Sequence, residues 1–264
     1  MSQRDGILVW GDPQDWNTGV RRFLRDCVPQ NVRSAIEADP RMYFYANETR
    51  WQGDQIVRCQ DNQEIPGLRE LLEEFQQTYP KIRMFHGCRT EDVSSYLRDG
   101  FLTLDVDKQI QKARDIFITD RFPQITDEHI VAAARKLNHQ GQQNRLYFSL
   151  DDVNLIKHAQ HYLKYGSEYL TVIAAVLSRT TGVDCEGLLG NIGMPTVFVC
   201  DVPLPLIQKD NVFHLLVELI TWNIVEPYTV GQETPSIDFT FTFFRSLPAS
   251  VIKSYYHPEE KRNN

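Results

Sequence analysis

Apolar residues recur along the chain at two spacings, one helical and one extended. From Leu68 to Tyr79 they fall at Leu68, Leu71, Leu72, Phe75 and Tyr79, one face of a helix with a polar opposite face, and Pro80 ends it. Ile82, Met84 and Phe85 begin a short strand that ends in His86-Gly87-Cys88-Arg89. Thr90 can cap a helix carrying Val93, Tyr96 and Leu97 on one face. Gly100 stands where a C-terminal glycine belongs, and Phe101-Leu102 resumes the extended chain. Residues 108–143 read as helix or loop, with Ile130 to Leu137 the clearest helix. Leu146 to Leu150 reads as a strand. Asp151 or Asp152 caps a helix that starts at Val153 and is interrupted by Gly166, and Ser167 caps a second segment through Ala174 to Leu177. Thr196 to Val202 is β-rich between Pro195 and Pro203, and Phe213 to Ile220 is helical. In Asp238 to Phe244, Thr alternates with Phe, which is strand spacing. Pro248 to Tyr255 is expected to close with a short helix. Strands at unequal intervals predict a mixed α+β fold rather than a regular βα repeat.

Composition narrows the class. A chain of 264 residues, 42% hydrophobic and 24% charged, with 14 Gly and 13 Pro, is neither disordered, collagenous nor a coiled coil. Its net charge of -7 argues against broad, nonspecific nucleic-acid binding, which needs clustered Lys and Arg, though a local basic groove stays open. The five cysteines are scattered without a C-x-x-C pair, as in a reducing compartment, and offer no structural zinc site. No stretch approaches the roughly 20 apolar residues of a membrane helix. The opening MSQRDGILVWGD lacks a basic region followed by an apolar run, so no secretory signal is expected and the protein reads as soluble. His158-x-x-His161 places two imidazoles on one helical face without a third ligand, and no metal is expected. Gly187-x-x-Gly190-x-x-Gly193 differs from the dinucleotide fingerprint in spacing and reads as a loop bordering a cleft. Cys88 is a nucleophile candidate two residues from His86, with no third group in view to orient the pair.

Four pieces in order carry a resemblance: His86-Gly87 at a strand end, Gly100-Phe101 after a helix, Tyr147-Phe148-Ser149, and a late strand from Asp238 leading to Leu247-Pro248. Their order and spacing resemble the ADP-ribosyltransferase superfamily, in its histidine-tyrosine-glutamate branch of the diphtheria-toxin and poly(ADP-ribose) polymerase kind, over residues 83–255. The resemblance implies two small sheets forming a split cleft across residues 82–264, after a partly helical N-terminal extension over residues 1–81. It implies a glycosyltransferase that moves ADP-ribose from NAD to a macromolecular acceptor, protein or nucleic acid, and releases nicotinamide. NAD is then a substrate and no metal is needed. The setting implied is cytoplasmic, or that of a toxin or effector delivered into a host cytoplasm, with no membrane partner.

The implied roles follow the chemistry of nicotinamide-ribose cleavage, which passes through an oxocarbenium-like state. His86 hydrogen-bonds a ribose hydroxyl, the Gly87 backbone pairs with the carboxamide, and Tyr147 and Tyr162 offer flat surfaces for the ring. Ser149 supports the site, and Arg89 offers bidentate donors to the pyrophosphate. The family's glutamate aligns with Asp238, shorter by one carbon-carbon bond of ~1.5 Å, and a misplacement of about 1 Å can cost ~100-fold in rate. Glu233, just before this strand, and Glu168, after the Tyr165-Gly166-Ser167 break, are the other candidates for the catalytic carboxylate, with Asp238 favoured. Two further functions stay open on the same fold: a non-catalytic binding module with the acid lost, and an NAD glycohydrolase with water as acceptor.

Overall fold

Fifteen helices and strands alternate irregularly along the described chain. The structure is a computed structural model and describes residues 6–11, 68–138, 145–225 and 239–258. In chain order they are β1 (Ile7–Leu8), α1 (Leu68–Thr78), β2 (Lys81–Thr90), α2 (Val93–Asp99), α3 (Val106–Phe117), α4 (Asp127–Asn138), β3 (Leu146–Ser149), α5 (Asp152–His158), α6 (Gln160–Tyr165), α7 (Glu168–Thr181), α8 (Cys185–Gly190), β4 (Met194–Pro203), α9 (Lys209–Val225), β5 (Thr240–Phe243) and β6 (Ile252–Tyr256). The fold is α+β. Its strands hydrogen-bond in the order β5-β3-β2-β4-β6, with β1 beside β2, forming one open sheet where two small ones were expected. No described helix is long and apolar enough to cross a membrane.

The chain forms two units, residues 1–83 with 201–239, and residues 84–200 with 240–264. Residues 201–239 thus group with the N-terminal segment, a discontinuity that no linear pattern expresses. In the first unit β1 runs parallel to the start of β2, pairing Ile7 with Lys81 and Leu8 with Ile82. Arg83 grips Asp201 with two bonds, Nε to Oδ1 at 2.8 Å and Nη2 to Oδ2 at 3.1 Å, a planar fork that holds the two strands in register. Helix α9 buries Val212, Leu215, Leu216 and Leu219, and Trp222 meets Trp10 edge-on at 5.8 Å.

In the second unit most helices begin on a short polar side chain. Asp92, Asp105, Asp151, Ser167 and Asp184 each accept a backbone N–H from the first turn they precede. Helices α3, α4, α7 and α8 share one apolar cluster, centred on Phe117, Ile130, Ile173 and Leu177. The sheet faces are distinct. β2 alternates, so Met84, His86 and Cys88 share one face while Phe85, Gly87 and Arg89 share the other. Phe148, Phe198 and Phe243 join the first face; Val197 packs with Phe85 on the second.

Four local expectations change. β2 continues through Gly87 to Thr90, and the cap of α2 is Asp92, not Thr90. The helix after Asp151 breaks at Ala159, before Gly166. The Gly187-to-Gly193 stretch is partly helix α8, because Asp184 caps it and Cys185 and Leu189 bury against α7. Pro248 to Tyr255 holds only a single 3₁₀ turn before β6, which pairs antiparallel with β4 from Cys200↔Ile252 to Val197↔Tyr256. A neighbouring strand supplies backbone partners that a short isolated helix lacks.

Gly100 ends α2 with φ of +77°, and a Cβ there would stand 2.6 Å from the Ala249 nitrogen. Phe101 and Leu247 exchange both backbone bonds beside it, at 2.8 and 2.9 Å. Gly182 ends α7 with φ of +75° and nothing within 4 Å of that position. Gly182→Ala should therefore cost only left-handed strain, about 1 kcal/mol, whereas Gly100→Ala should cost about 3 kcal/mol or more. Urea unfolding of the two variants checks the difference.

Candidate active site

Among the described residues β2 and β3 share a single paired position, Phe85↔Ser149. The antiparallel register would next set Gly87 opposite Tyr147, and no pair forms there. The Tyr147 carbonyl bonds the His86 imidazole instead, whose Nδ1 donates to it at 2.9 Å. A carbonyl can only accept, so Nδ1 carries the proton and Nε2 presents a lone pair. Desolvation by burial holds the His86 pKa below its ordinary value of 6.5, against the opposite pull of that bond, and keeps the ring neutral at pH 7. The ring is flanked by Phe101 at 4.9 Å and Phe148 at 5.1 Å. Gly87 is buried, and a Cβ on it would press within 3.1 Å of the Leu155 methyls.

The other half of the site lies across the sheet. Alternation turns Tyr147 away from Phe148, onto the face where α5 and α6 pack through Leu155 and Leu163 against Phe85. On α6 the Tyr162 hydroxyl donates to Glu168 Oε2 at 3.4 Å. Burial first, then the charges of Glu168 and Tyr147, push the Tyr162 pKa up, so the phenol stays protonated. Gly166 at φ +86° and the Ser167 cap turn the chain so that Glu168 opens α7 facing back at α6. Tyr147, Tyr162 and Glu168 are all half-buried. The rings of His86 and Tyr147 thus stand on opposite faces, joined by the bond to the Tyr147 carbonyl, where the resemblance implied a ribose held between them.

The remaining residues divide between support and chemistry. Ser149 Oγ donates to the Asp151 carbonyl at 2.8 Å and accepts from the Asp151 nitrogen at 3.3 Å, building the turn into α5. Arg89 donates from Nε to the Ile192 carbonyl at 2.8 Å and from Nη1 to the Leu163 carbonyl at 3.3 Å, which clamps α6 and the α8–β4 turn to β2. Burial pushes the Cys88 thiol up to about 12, although the Tyr96 hydrogen bond and Lys112 oppose this, which disfavours a nucleophilic thiolate. His158 and His161 fall on two different helices, α5 and α6. Among the described residues, no group of three His, Cys, Asp or Glu could hold a metal ion.

The expected catalytic carboxylates Asp238 and Glu233 lie outside the described residues. What is described is the strand that follows them. β5 pairs with β3 from Ser149↔Thr240 to Leu146↔Phe243, so Phe85, Ser149 and Thr240 form one row across three strands. Asp238 precedes Thr240 by two residues in the chain. A separate depression of ≈ 450 Å³ opens at the end of β2, lined by Thr90, Glu91, Asp92, Met194 and His257 among others, and holds none of the expected site residues.

Several partners of the site were not read from the sequence. Phe198, packed on Phe101, and Leu155 shape the surroundings of His86-Gly87, and Tyr256 donates to Asp152 Oδ2 at 2.7 Å, tying β6 to the start of α5. The alternation in Thr196 to Val202 marks Phe198 as one-faced, without saying which strand it would meet. No family model, no curated protein and no solved structure matches this chain.

The His86 environment has a pH consequence. Its folded pKa lies below the unfolded value of about 6.5, so the unfolded chain takes up the proton first. The contribution is intact above that pH and shrinks as pH falls, until the folded imidazole itself protonates. Urea unfolding at pH 8, 7, 6 and 5 should show the wild type losing stability relative to His86→Gln, whose amide does not titrate.

Proposed function

We propose that this protein transfers ADP-ribose from NAD to a macromolecular acceptor and releases nicotinamide. The observation that carries the reading is the side-by-side order β5-β3-β2, which sets the strand after Asp238 beside the Tyr147 strand and the Tyr147 strand beside the His86 strand. The ladder opens where Gly87 would face Tyr147, which supports a notch for the carboxamide in that row. The Phe101–Leu247 bridge likewise joins the Gly-Phe and Leu-Pro turns of the resemblance.

In this reading the neutral His86 uses its Nε2 lone pair to accept from a ribose hydroxyl. The Gly87 backbone pairs with the carboxamide, and Tyr147 and Tyr162 present aromatic surfaces to the ring. The carboxylate of Asp238 stabilises positive charge on the ribose as the bond to nicotinamide breaks. The electron pair of that bond leaves with the ring nitrogen. A nucleophile on the acceptor forms the new bond to the anomeric carbon and loses its proton to water. Arg89 and Ser149 hold the elements that carry these groups. A second reading, a non-catalytic binding module, is favoured by the short side chain at Asp238 and by the His86 and Tyr147 rings facing opposite ways.

Incubation with NAD labelled in its adenylate half, with and without cell extract, tests the reading. Label on protein or nucleic acid supports transfer, free ADP-ribose supports a glycohydrolase, and intact NAD leaves the binding module. If transfer occurs, Asp238→Asn should lose about 100-fold or more in turnover. Tyr147→Ala should lose about tenfold, and Tyr147→Phe much less, because stacking uses the ring face. Steady-state nicotinamide release on the purified variants checks all three.

A further inference from the structure

The β3–β5 ladder buries the side chains of one face and leaves the other partly open. Leu146, Phe148, Phe241 and Phe243 are buried, while Tyr147, Thr240, Thr242 and Phe244 alternate with them and keep exposure. Leu146 pairs with Phe243, so the register carried one residue further sets Arg145 opposite Phe244. The Arg145 guanidinium stands over the Phe244 ring at 5.6 Å, and Phe244 is 53% exposed. Among the described residues Arg145 forms no ion pair, and its buried Nε has no hydrogen-bond partner. We propose that this pair binds an unpaired nucleotide of single-stranded nucleic acid, with the phosphate on Arg145 and the base on Phe244. Naming nucleic acid as the acceptor rests on the transfer reading above; the binding site itself does not.

A guanidinium partly withdrawn from water and without an anion is a costly state for a charged group. A phosphate offers acceptor oxygens to its remaining N–H donors in a forked geometry that an ammonium cannot match. The exposed side of the Phe244 ring gives a base a stacking surface that every base can use, since each has a π-face. A duplex hides its bases from such a surface, so the pair selects an unpaired nucleotide. An acidic peptide would answer the charge of Arg145 alone. With a net charge of -7 on the chain, binding depends on the pair rather than on a general attraction to polyanions. Tyr147 lies two residues from Arg145 on the same face, about 7 Å along the strand. A nucleotide held by the pair is therefore close to the bond that the transfer reading breaks.

The test titrates the full chain against a fluorescently labelled single strand of mixed sequence, the same strand annealed to its complement, and a polyglutamate peptide. Anisotropy should show the single strand bound about tenfold more tightly than the duplex. Phe244→Ala should weaken that binding about tenfold or more, and Phe244→Trp should keep it. Arg145→Gln should remove about 0.7 from the slope of log affinity against log salt, and Arg145→Lys should restore it. Thermal melting checks that each variant folds; if Arg145→Gln does not, Phe244→Ala, at an exposed side chain, decides. A wild type that prefers the duplex or binds neither strand overturns the proposal. So does an affinity unchanged in Phe244→Ala, a salt slope unchanged in Arg145→Gln, or polyglutamate bound through the same two side chains. NAD labelled in its adenylate half, added to the same samples, separates the site from its premise. Label on the strand that Phe244→Ala abolishes supports both, and label on the strand that persists in Phe244→Ala sinks the docking site alone. Label on protein only sinks nucleic acid as the acceptor. Strand binding through the pair without NAD turnover sinks the transfer reading and leaves the site standing.

Discussion

The hydrogen bond from His86 Nδ1 to the Tyr147 carbonyl is what allows β2 and β3 to part company within a sheet. When a ladder ends after one pair, the next carbonyl loses its strand partner, and a buried unsatisfied carbonyl costs about 1–3 kcal/mol. A side chain from the neighbouring strand fills that gap at 2.9 Å. The same bond settles the tautomer of His86, and burial between Phe101 and Phe148 keeps the ring uncharged. The end of the β2–β3 pairing and the tautomer of His86 thus meet in one contact.

The neighbours of that contact hold it in place. Gly87 carries no Cβ, and Leu155 from α5 occupies the space one would need. Arg89 ties the far end of β2 to α6 and to the turn before β4, while Ser149 starts α5 from the end of β3. The antiparallel bridge of Phe101 with Leu247 passes beside Gly100, where only a residue without a side chain fits. Residues that read as ligand contacts in the sequence therefore divide into two kinds. His86, Tyr147, Tyr162 and Glu168 stay partly exposed; Arg89 and Ser149 bond to backbone carbonyls and hold the frame.

Charge is distributed in the same way. On one face stands a neutral imidazole among aromatic rings, and on the other a phenol held by a carboxylate. Burial beside Tyr96 raises the Cys88 thiol and disfavours its thiolate near neutral pH.

The sequence by itself determined what depends on neighbours along the chain. Helix α1 was legible from five apolar positions and the stop at Pro80. Ser167 was legible as a cap, Gly100 as a helix end, and β3 and β5 as strands from their short apolar and alternating runs. Tertiary structure decided whatever waits for a distant partner. Ile252–Tyr256 became a strand only because β4 offered it a backbone, and Cys185–Gly190 a helix only because α7 offered an apolar seat. It also decided that β2 would run on past Gly87, that Arg89 would meet two carbonyls, and that His86 and Tyr147 would turn their rings to opposite faces. Periodicity tells which residues share a face; which face meets which element is set by packing between segments that the chain keeps far apart.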